Sequence, residues 1–161
     1  STNDGSRFLA LQSPFDYENN ATLFIPQMDN EPTDEDYTAE LATQIIALID
    51  GEMASLVLFA SYWQMEKVAE LVEGKIPASQ LFIQGTMPRQ QILSQHKQRC
   101  DDGEPSIIFG TGSFSEGLDL PGDYLTNLII TKLPFEIISS ISFPNDVFKL
   151  TSFLNKSPVD N

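Results

Sequence analysis

Apolar residues along this chain fall alternately into short continuous runs and into helical steps. Ser55-Leu56-Val57-Leu58-Phe59-Ala60 and Ser106-Ile107-Ile108-Phe109 are nearly unbroken apolar runs, the pattern of strands buried on both faces of a parallel sheet. Ala21-Thr22-Leu23-Phe24-Ile25 (stopped by Pro26), Gln80-Leu81-Phe82-Ile83 and Asn127-Leu128-Ile129-Ile130-Thr131 predict three further strands. Between the runs the period changes. Leu41, Ile45, Leu48 and Ile49 recur at three- and four-residue steps, as an amphipathic helix requires. Thr33-x-x-Asp36 resembles a capping box at its start, and Asp50-Gly51 ends it. A second helix is expected from about Tyr62 to Glu73, closed by Gly74. Pro88 suits the first turn of a third, running to about Cys100, before Asp101-Asp102-Gly103 turns the chain. One helical turn is expected between Phe109 and Asn127. Residues 1–20 read as an irregular leading segment or linker, with Ser13-Pro14 and Glu18-Asn19-Asn20 as turn formers, and Asp29-Asn30-Glu31-Pro32 as a polar loop. Residues 136–161 show no clear period.

Strands alternating with helices imply right-handed βαβ units, and hence an α/β domain with a mostly parallel sheet flanked by helices. Such sheets meet their ligands at the loops after the carboxyl ends of the strands. That prior singles out Ser61, Gln84-Gly85-Thr86 and Gly110-Thr111-Gly112, each directly after a predicted strand.

The totals narrow the classes. A chain of 161 residues with 41% hydrophobic content fits about one domain with a real core. No apolar run reaches the ~18 residues of a membrane span, and Ser1-Thr2-Asn3-Asp4-Gly5 has no signal-peptide character. Without an initial Met, a piece of a longer chain is expected. One cysteine, Cys100, rules out an internal disulfide and any multi-cysteine metal or iron–sulfur site within the chain, and fits a reduced, cytoplasmic setting. The net charge of −14 opposes phosphate binding unless the few cations are concentrated. Lys75, Arg89, Lys97 and Arg99, four of the nine basic residues, do share a stretch without acids between Glu73 and Asp101.

Several catalytic patterns fail. Gly110-Thr111-Gly112-Ser113 follows a strand, but Ser115 stands where a dinucleotide fingerprint needs its third glycine. Gly74-Lys75 is followed by Ile76 and preceded by Ala69 at the first-glycine position, so it is no phosphate-cradling loop. Asp34-Glu35-Asp36-Tyr37 follows a loop rather than an apolar strand and reads as a helix start, not a magnesium box. Neither Ser113 nor Ser115 has the flanking glycines of a nucleophile elbow. His96, the one histidine, lies mid-helix beside Lys97 and reads as a surface residue. No complete catalytic centre and no metal site is therefore expected in this chain.

What remains is Ser113-Phe114-Ser115-Glu116-Gly117-Leu118-Asp119-Leu120-Pro121-Gly122. Small residues let a backbone approach phosphate, and the two carboxylates can accept from a ribose hydroxyl, a water or an arginine. A tight turn capped by Glu116, with Asp119 starting the next segment, is the competing reading.

This segment resembles motif V of superfamily 2 helicases in its DinG/XPD-like form, roughly S-F-x-E-G-[LI]-D-[LF]-x-G, and matches it throughout. The likeness extends outward in order. Ser13-Pro14-Phe15 resembles the lead into the second motor domain. Leu56-Val57-Leu58-Phe59-Ala60-Ser61 resembles motif IV. Phe82-Ile83-Gln84-Gly85 with Pro88-Arg89-Gln90 resembles the following strand and helix. Leu128-Ile129-Ile130-Thr131-Lys132-Leu133-Pro134-Phe135 resembles the strand leading out to L-P-F. Residues 7–135 are covered. The resemblance implies a RecA-like domain of the P-loop-NTPase type over residues 21–135. It would be the second motor domain of an ATP-dependent 5′-to-3′ DNA helicase that moves on single-stranded DNA and acts in DNA repair. By the same resemblance, Ser61, Gln84, Gly85, Thr86, Arg89, Thr111, Ser113 and Ser115 contact DNA, while Glu116, Gly117 and Asp119 couple that track to the nucleotide cleft. ATP and Mg2+ would be gripped by a first RecA-like domain of the same polypeptide, where any iron–sulfur cluster would also lie. This domain alone would be inactive.

One departure stands out. Phe143-Pro144-Asn145-Asp146-Val147-Phe148-Lys149-Leu150 resembles the lead-in to motif VI, roughly Q-x-x-G-R-x-x-R, whose arginines stabilise the transferring phosphate. Thr151-Ser152-Phe153-Leu154-Asn155-Lys156 then stands where those arginines belong. A non-catalytic domain that binds nucleic acid or protein is the alternative this leaves open.

Overall fold

The computed structural model describes residues 8–12, 22–26 and 35–131. In chain order the elements are β1 (Phe8–Gln12), β2 (Thr22–Pro26), helix α1 (Glu35–Ile49), β3 (Ala54–Phe59), α2 (Tyr62–Leu71), β4 (Leu81–Ile83), α3 (Arg89–Asp101), β5 (Ser106–Thr111), the single turn α4 (Gly112–Ser115) and β6 (Asn127–Ile130). They build one six-stranded sheet in the order β1-β2-β6-β3-β5-β4. Strands β2, β6, β3, β5 and β4 run parallel, and β1 closes the sheet antiparallel to β2. This is the mostly parallel, RecA-like α/β architecture that the alternation of runs and helical steps predicts.

The inner parallel strands β3, β5 and β6 are largely apolar because both faces are covered. Residues of β3, β5 and β6 alternate between two cores. Leu56, Leu58, Ile108, Leu128 and Ile130 face Ile92 and Leu93 of α3 together with Phe114, Leu118, Leu120 and Leu125. Val57, Phe59, Ile107, Phe109 and Ile129 face Leu41, Ile45 and Leu48 of α1 and Met65, Val68 and Val72 around α2. Phe59 and Phe109 meet edge to face, with ring centroids 4.9 Å apart, the arrangement aromatic quadrupoles favour. Motif V's apolar letters are thus core residues, and the segment is pinned to the sheet by them.

Two readings of the sequence are corrected. Residues 1–20 are not wholly irregular, since Phe8–Gln12 forms β1 and pairs in register from Phe8 opposite Pro26 to Gln12 opposite Thr22. A five-residue edge strand shows neither a helical period nor an alternation long enough to recognise alone. His96 is not a surface residue but fully buried. It lies one helical turn beyond Ile92, on the inward stripe of α3. The proposed capping box at Thr33, the segment Ser13-Pro14-Phe15, the polar loop at Asp29–Pro32, Leu133-Pro134-Phe135 and residues 136–161 fall outside the described residues.

Candidate nucleic-acid interface

Strand register gathers three loops at one edge of the sheet. Phe59 pairs with Thr111 at the carboxyl ends of β3 and β5, and Ile83 pairs with Phe109. Gln84 continues the ladder by donating its backbone N–H to the Phe109 carbonyl at 2.9 Å. Ser61, Gln84 and Ser113 therefore share the carboxyl edge of the parallel sheet, as the pattern of strands followed by small polar residues predicts.

Gln84 is the hub. Its Oε1 accepts from the Thr111 backbone N–H (2.7 Å) and the Thr111 hydroxyl (3.0 Å), while its Nε2 donates to Ser113 Oγ at 3.2 Å. Thr111 and Ser113 hydroxyls lie 3.1 Å apart. Thr86 Oγ1 donates back to the Ile83 carbonyl, closing the loop of Gly85. On the other side Tyr62 donates its phenol to the Gln84 carbonyl at 3.0 Å. Gly85 has φ +95°, and a Cβ there would run into the Tyr62 hydroxyl; the loop needs glycine on both counts.

Ser61 caps α2, its Oγ accepting from the Gln64 N–H at 3.0 Å. Gln64 itself is buried, and its Oε1 accepts from the Ala60 N–H and from the Thr131 hydroxyl at 2.9 Å. Neither Gln64 nor Thr131 stands out in the sequence. The signal was positional: a polar residue three beyond the cap, on the inward side of an apolar-faced helix.

The motif V turn is held from α3. Arg89 donates through Nε and Nη2 to the Phe114 carbonyl (3.0 and 2.9 Å) and through Nη2 to the Glu116 carbonyl (2.6 Å), with its guanidinium 5.2 Å from the Phe114 ring centroid. It is placed as a clamp on the turn rather than as a free cation. Ser115 also leaves the surface: it is fully buried and donates to the Gly112 carbonyl at 2.7 Å. Glu116, Gly117 and Asp119 are exposed just beyond, and Gly117 has φ +63°. A cavity of about 360 Å³ opens between the turn and α3, lined by Arg89, Gln90, Leu93, Ser94, Lys97, Gly117 and Asp119.

The basic stretch does not form one patch. Lys97 lies by the motif V turn with its Nζ 5.6 Å from the Tyr124 ring centroid. Arg99 donates to the Pro105 carbonyl at 2.8 Å and pairs with Glu104 at 3.7 Å, ahead of β5. Lys75 and Pro105 both line a cavity of about 220 Å³ at that opposite, amino edge of the sheet. Gly74-Lys75 thus follows a helix at the far edge, and offers no phosphate cradle.

His96 is structural. Its Nε2 lies 2.7 Å from the Tyr124 carbonyl and its Nδ1 2.6 Å from Ser106 Oγ. A carbonyl only accepts, so Nε2 carries the proton and Nδ1 accepts from the serine hydroxyl. Burial holds its pKa below the ordinary 6.5, against the contrary pull of the Tyr124 carbonyl. Burial and neighbouring Asp101 push the Cys100 thiol up, away from a reactive thiolate. Among the described residues no group of three His, Cys, Asp or Glu could hold a metal ion, and no helix is long and apolar enough to cross a membrane.

Residues 43–149 match the family described as the helicase C-terminal domain. Over 139 residues, 85% of this chain and 20% of the relative, 54% of positions are identical to the ATP-dependent DNA helicase DinG of Photobacterium profundum. The DinG helicases of Salmonella typhimurium LT2 and Escherichia coli K12 are 39% and 36% identical over 141 residues, each alignment covering 84% of this chain. The chain spans about a fifth of the length of these relatives (20% and 19%).

Proposed function

Because this chain belongs to the helicase C-terminal domain family and is DinG-like, we propose that it is the second motor domain of an ATP-dependent DNA helicase. The observation that carries the reading is the Gln84–Thr111–Ser113 network. It joins the loops after β4 and β5 and fixes their hydroxyl and amide groups beside one another, and Tyr62 ties the start of the helix after β3 to them. Such groups suit the backbone of single-stranded DNA, bound without base readout. Ser61, Gln84, Gly85, Thr86, Thr111 and Ser113 form this track. Arg89 and Ser115 support it from beneath.

The motif V turn joins the track to the nucleotide side. Ser113 begins the turn and Glu116, Gly117 and Asp119 follow it, with Arg89 clamping carbonyls between them. Leu118 and Leu120, buried on either side of Asp119, pack in the same core as Phe114 next to Ser113, so a displacement at Asp119 is passed toward the track through that packing. The described residues contain no triphosphate grip, so ATP and Mg2+ belong to a first domain of the same polypeptide, and no chemical step is assigned to this chain alone. Single-strand preference, 5′-to-3′ polarity and a role in DNA repair are supported by the DinG/XPD-like motif V, and a cytoplasmic setting by the single cysteine, Cys100. A non-catalytic binding domain is the second reading, favoured by Thr151–Lys156 standing where motif VI arginines belong.

The test is anisotropy of a labelled oligothymidine and of an equally long duplex, at low and raised salt. Expected are weak binding to the single strand that falls only modestly with salt, less binding to the duplex, and a further loss with Ser113→Ala. Equal binding to the duplex, or none at low salt, would overturn the track. In the full-length parent, DNA-stimulated ATP hydrolysis and unwinding from a 5′ overhang separate the motor from the non-catalytic reading.

A further inference from the structure

Two of the large hydrophobic residues left exposed by the fold are consecutive, and both sit at the carboxyl edge of the sheet. Tyr62 is 44% and Trp63 62% exposed, in the first turn of α2 directly after Ser61. Tyr62 is tied to the Gln84 carbonyl, so it links this turn to the polar network of the other loops. Trp63 has no such tie. It lies opposite the buried Gln64, Met65 and Val68 face of the helix, and Lys67 Nζ sits 5.9 Å from its ring centroid. The indole is therefore covered by a cation on one side and open on the other. Lys67 also pairs with Glu70 at 3.8 Å, which holds it along the helix surface.

Charge makes this arrangement consequential. With a net charge of −14, the chain gains little from counterion release, and Arg89 and Arg99 are already committed to carbonyls. Affinity for a polyanion must then come from contacts that do not depend on charge. Base stacking on an aromatic face is such a contact and accepts any base.

We infer that Trp63 is a stacking platform for one nucleobase of a single strand whose backbone lies on the Gln84–Ser113 network. This rests on the proposed single-strand reading and adds to it a residue and a mode of contact. Lys67 backs the ring from its far side, and Tyr62 keeps the first turn of α2 in register with the Gly85 loop.

Trp63 is the one tryptophan of the chain, so its emission reports the contact directly. The 161-residue chain is titrated with oligothymidine and with an equally long abasic phosphodiester, following tryptophan emission and, in parallel, anisotropy of a labelled strand. The expected result is quenching by oligothymidine but not by the abasic strand. Trp63→Ala should weaken oligothymidine binding by about tenfold or more, Trp63→Phe should restore part of it, and neither should change binding of the abasic strand. Because the ring is exposed, the circular dichroism and thermal midpoint of Trp63→Ala should match the parent sequence. Anisotropy that rises without quenching would overturn stacking while leaving the DNA track intact, and would leave Trp63 to a protein partner. No rise in anisotropy at low salt would overturn both.

Discussion

His96 shows how far a single residue can depart from the character of its neighbours. Gln95, Lys97, Gln98 and Arg99 surround it with polar letters, yet the four-residue step from Ile92 places it on the buried stripe of α3. Its neutral ring then links the Tyr124 carbonyl to the Ser106 hydroxyl. The folded pKa is held below the ordinary 6.5 by burial, so the unfolded chain takes up a proton first as pH falls. Stability from this site is thus full above about pH 6.5 and is lost progressively below it. A thermal midpoint that falls between pH 6.5 and 5.5, and falls less in His96→Gln, is the expected outcome; equal slopes would remove His96 from the account. At the same scale, the place of Ser61, Gln84 and Ser113 was legible because residues that follow buried parallel strands lie at the carboxyl edge of the sheet. Arg89 was legible as a cation but not as a clamp. Its partners are main-chain carbonyls, which leave no mark in the sequence. Arg89→Ala is expected to destabilise the fold by about 1–3 kcal/mol, through the loss of charge-assisted hydrogen bonds and two carbonyls left without that donor. Chemical denaturation measures it, and Arg89→Lys should recover only part, lacking the forked geometry.

Helices and strands were read well wherever the apolar period was long, and poorly where it was short. The buried strands β3, β5 and β6 and the amphipathic α1 carry their own signature, because burial on two faces or on one stripe leaves no other pattern. β1 carries none, since its place follows from pairing with β2 rather than from its own five residues. The one-turn α4 is fixed by packing. A Cβ added at Gly110 would lie 2.8 Å from Phe114 Cβ, so Gly110→Ala should push Phe114 out of its core position. A loss of roughly 1–3 kcal/mol is expected, with single-strand binding weakened along with it because Ser113 moves with the turn. Unchanged binding at reduced stability would show that the turn and the track are uncoupled. At the head of α2, Ser61→Ala should cost about 1 kcal/mol through the lost cap.

The whole molecule joins an acidic surface to a family whose relatives are DNA helicases. The four cations of the basic stretch are divided between the two edges of the sheet, Arg89 and Lys97 by the motif V turn and Lys75 and Arg99 at the amino edge, so the stretch that looked continuous in sequence is broken. Expected salt dependence is therefore shallow: the slope of log affinity against log salt should correspond to about one or two released counterions rather than the six to ten of a basic binder. A steep slope would place unseen cations on the path. The sheet order has a further consequence, one of timing. Strand β6 is the last described strand to be made, yet it sits between β2 and β3 and pairs with both. Until Asn127–Ile130 leaves the ribosome, β2 and β3 each present an apolar, unpaired flank, and the two halves of the sheet have nothing to join them. Long-range parallel pairing of this kind is slow and prone to aggregate while incomplete. A released chain that ends at Thr126 should therefore enlist chaperones or pellet, whereas one that ends at Thr131 carries the strand that joins the two halves of the sheet.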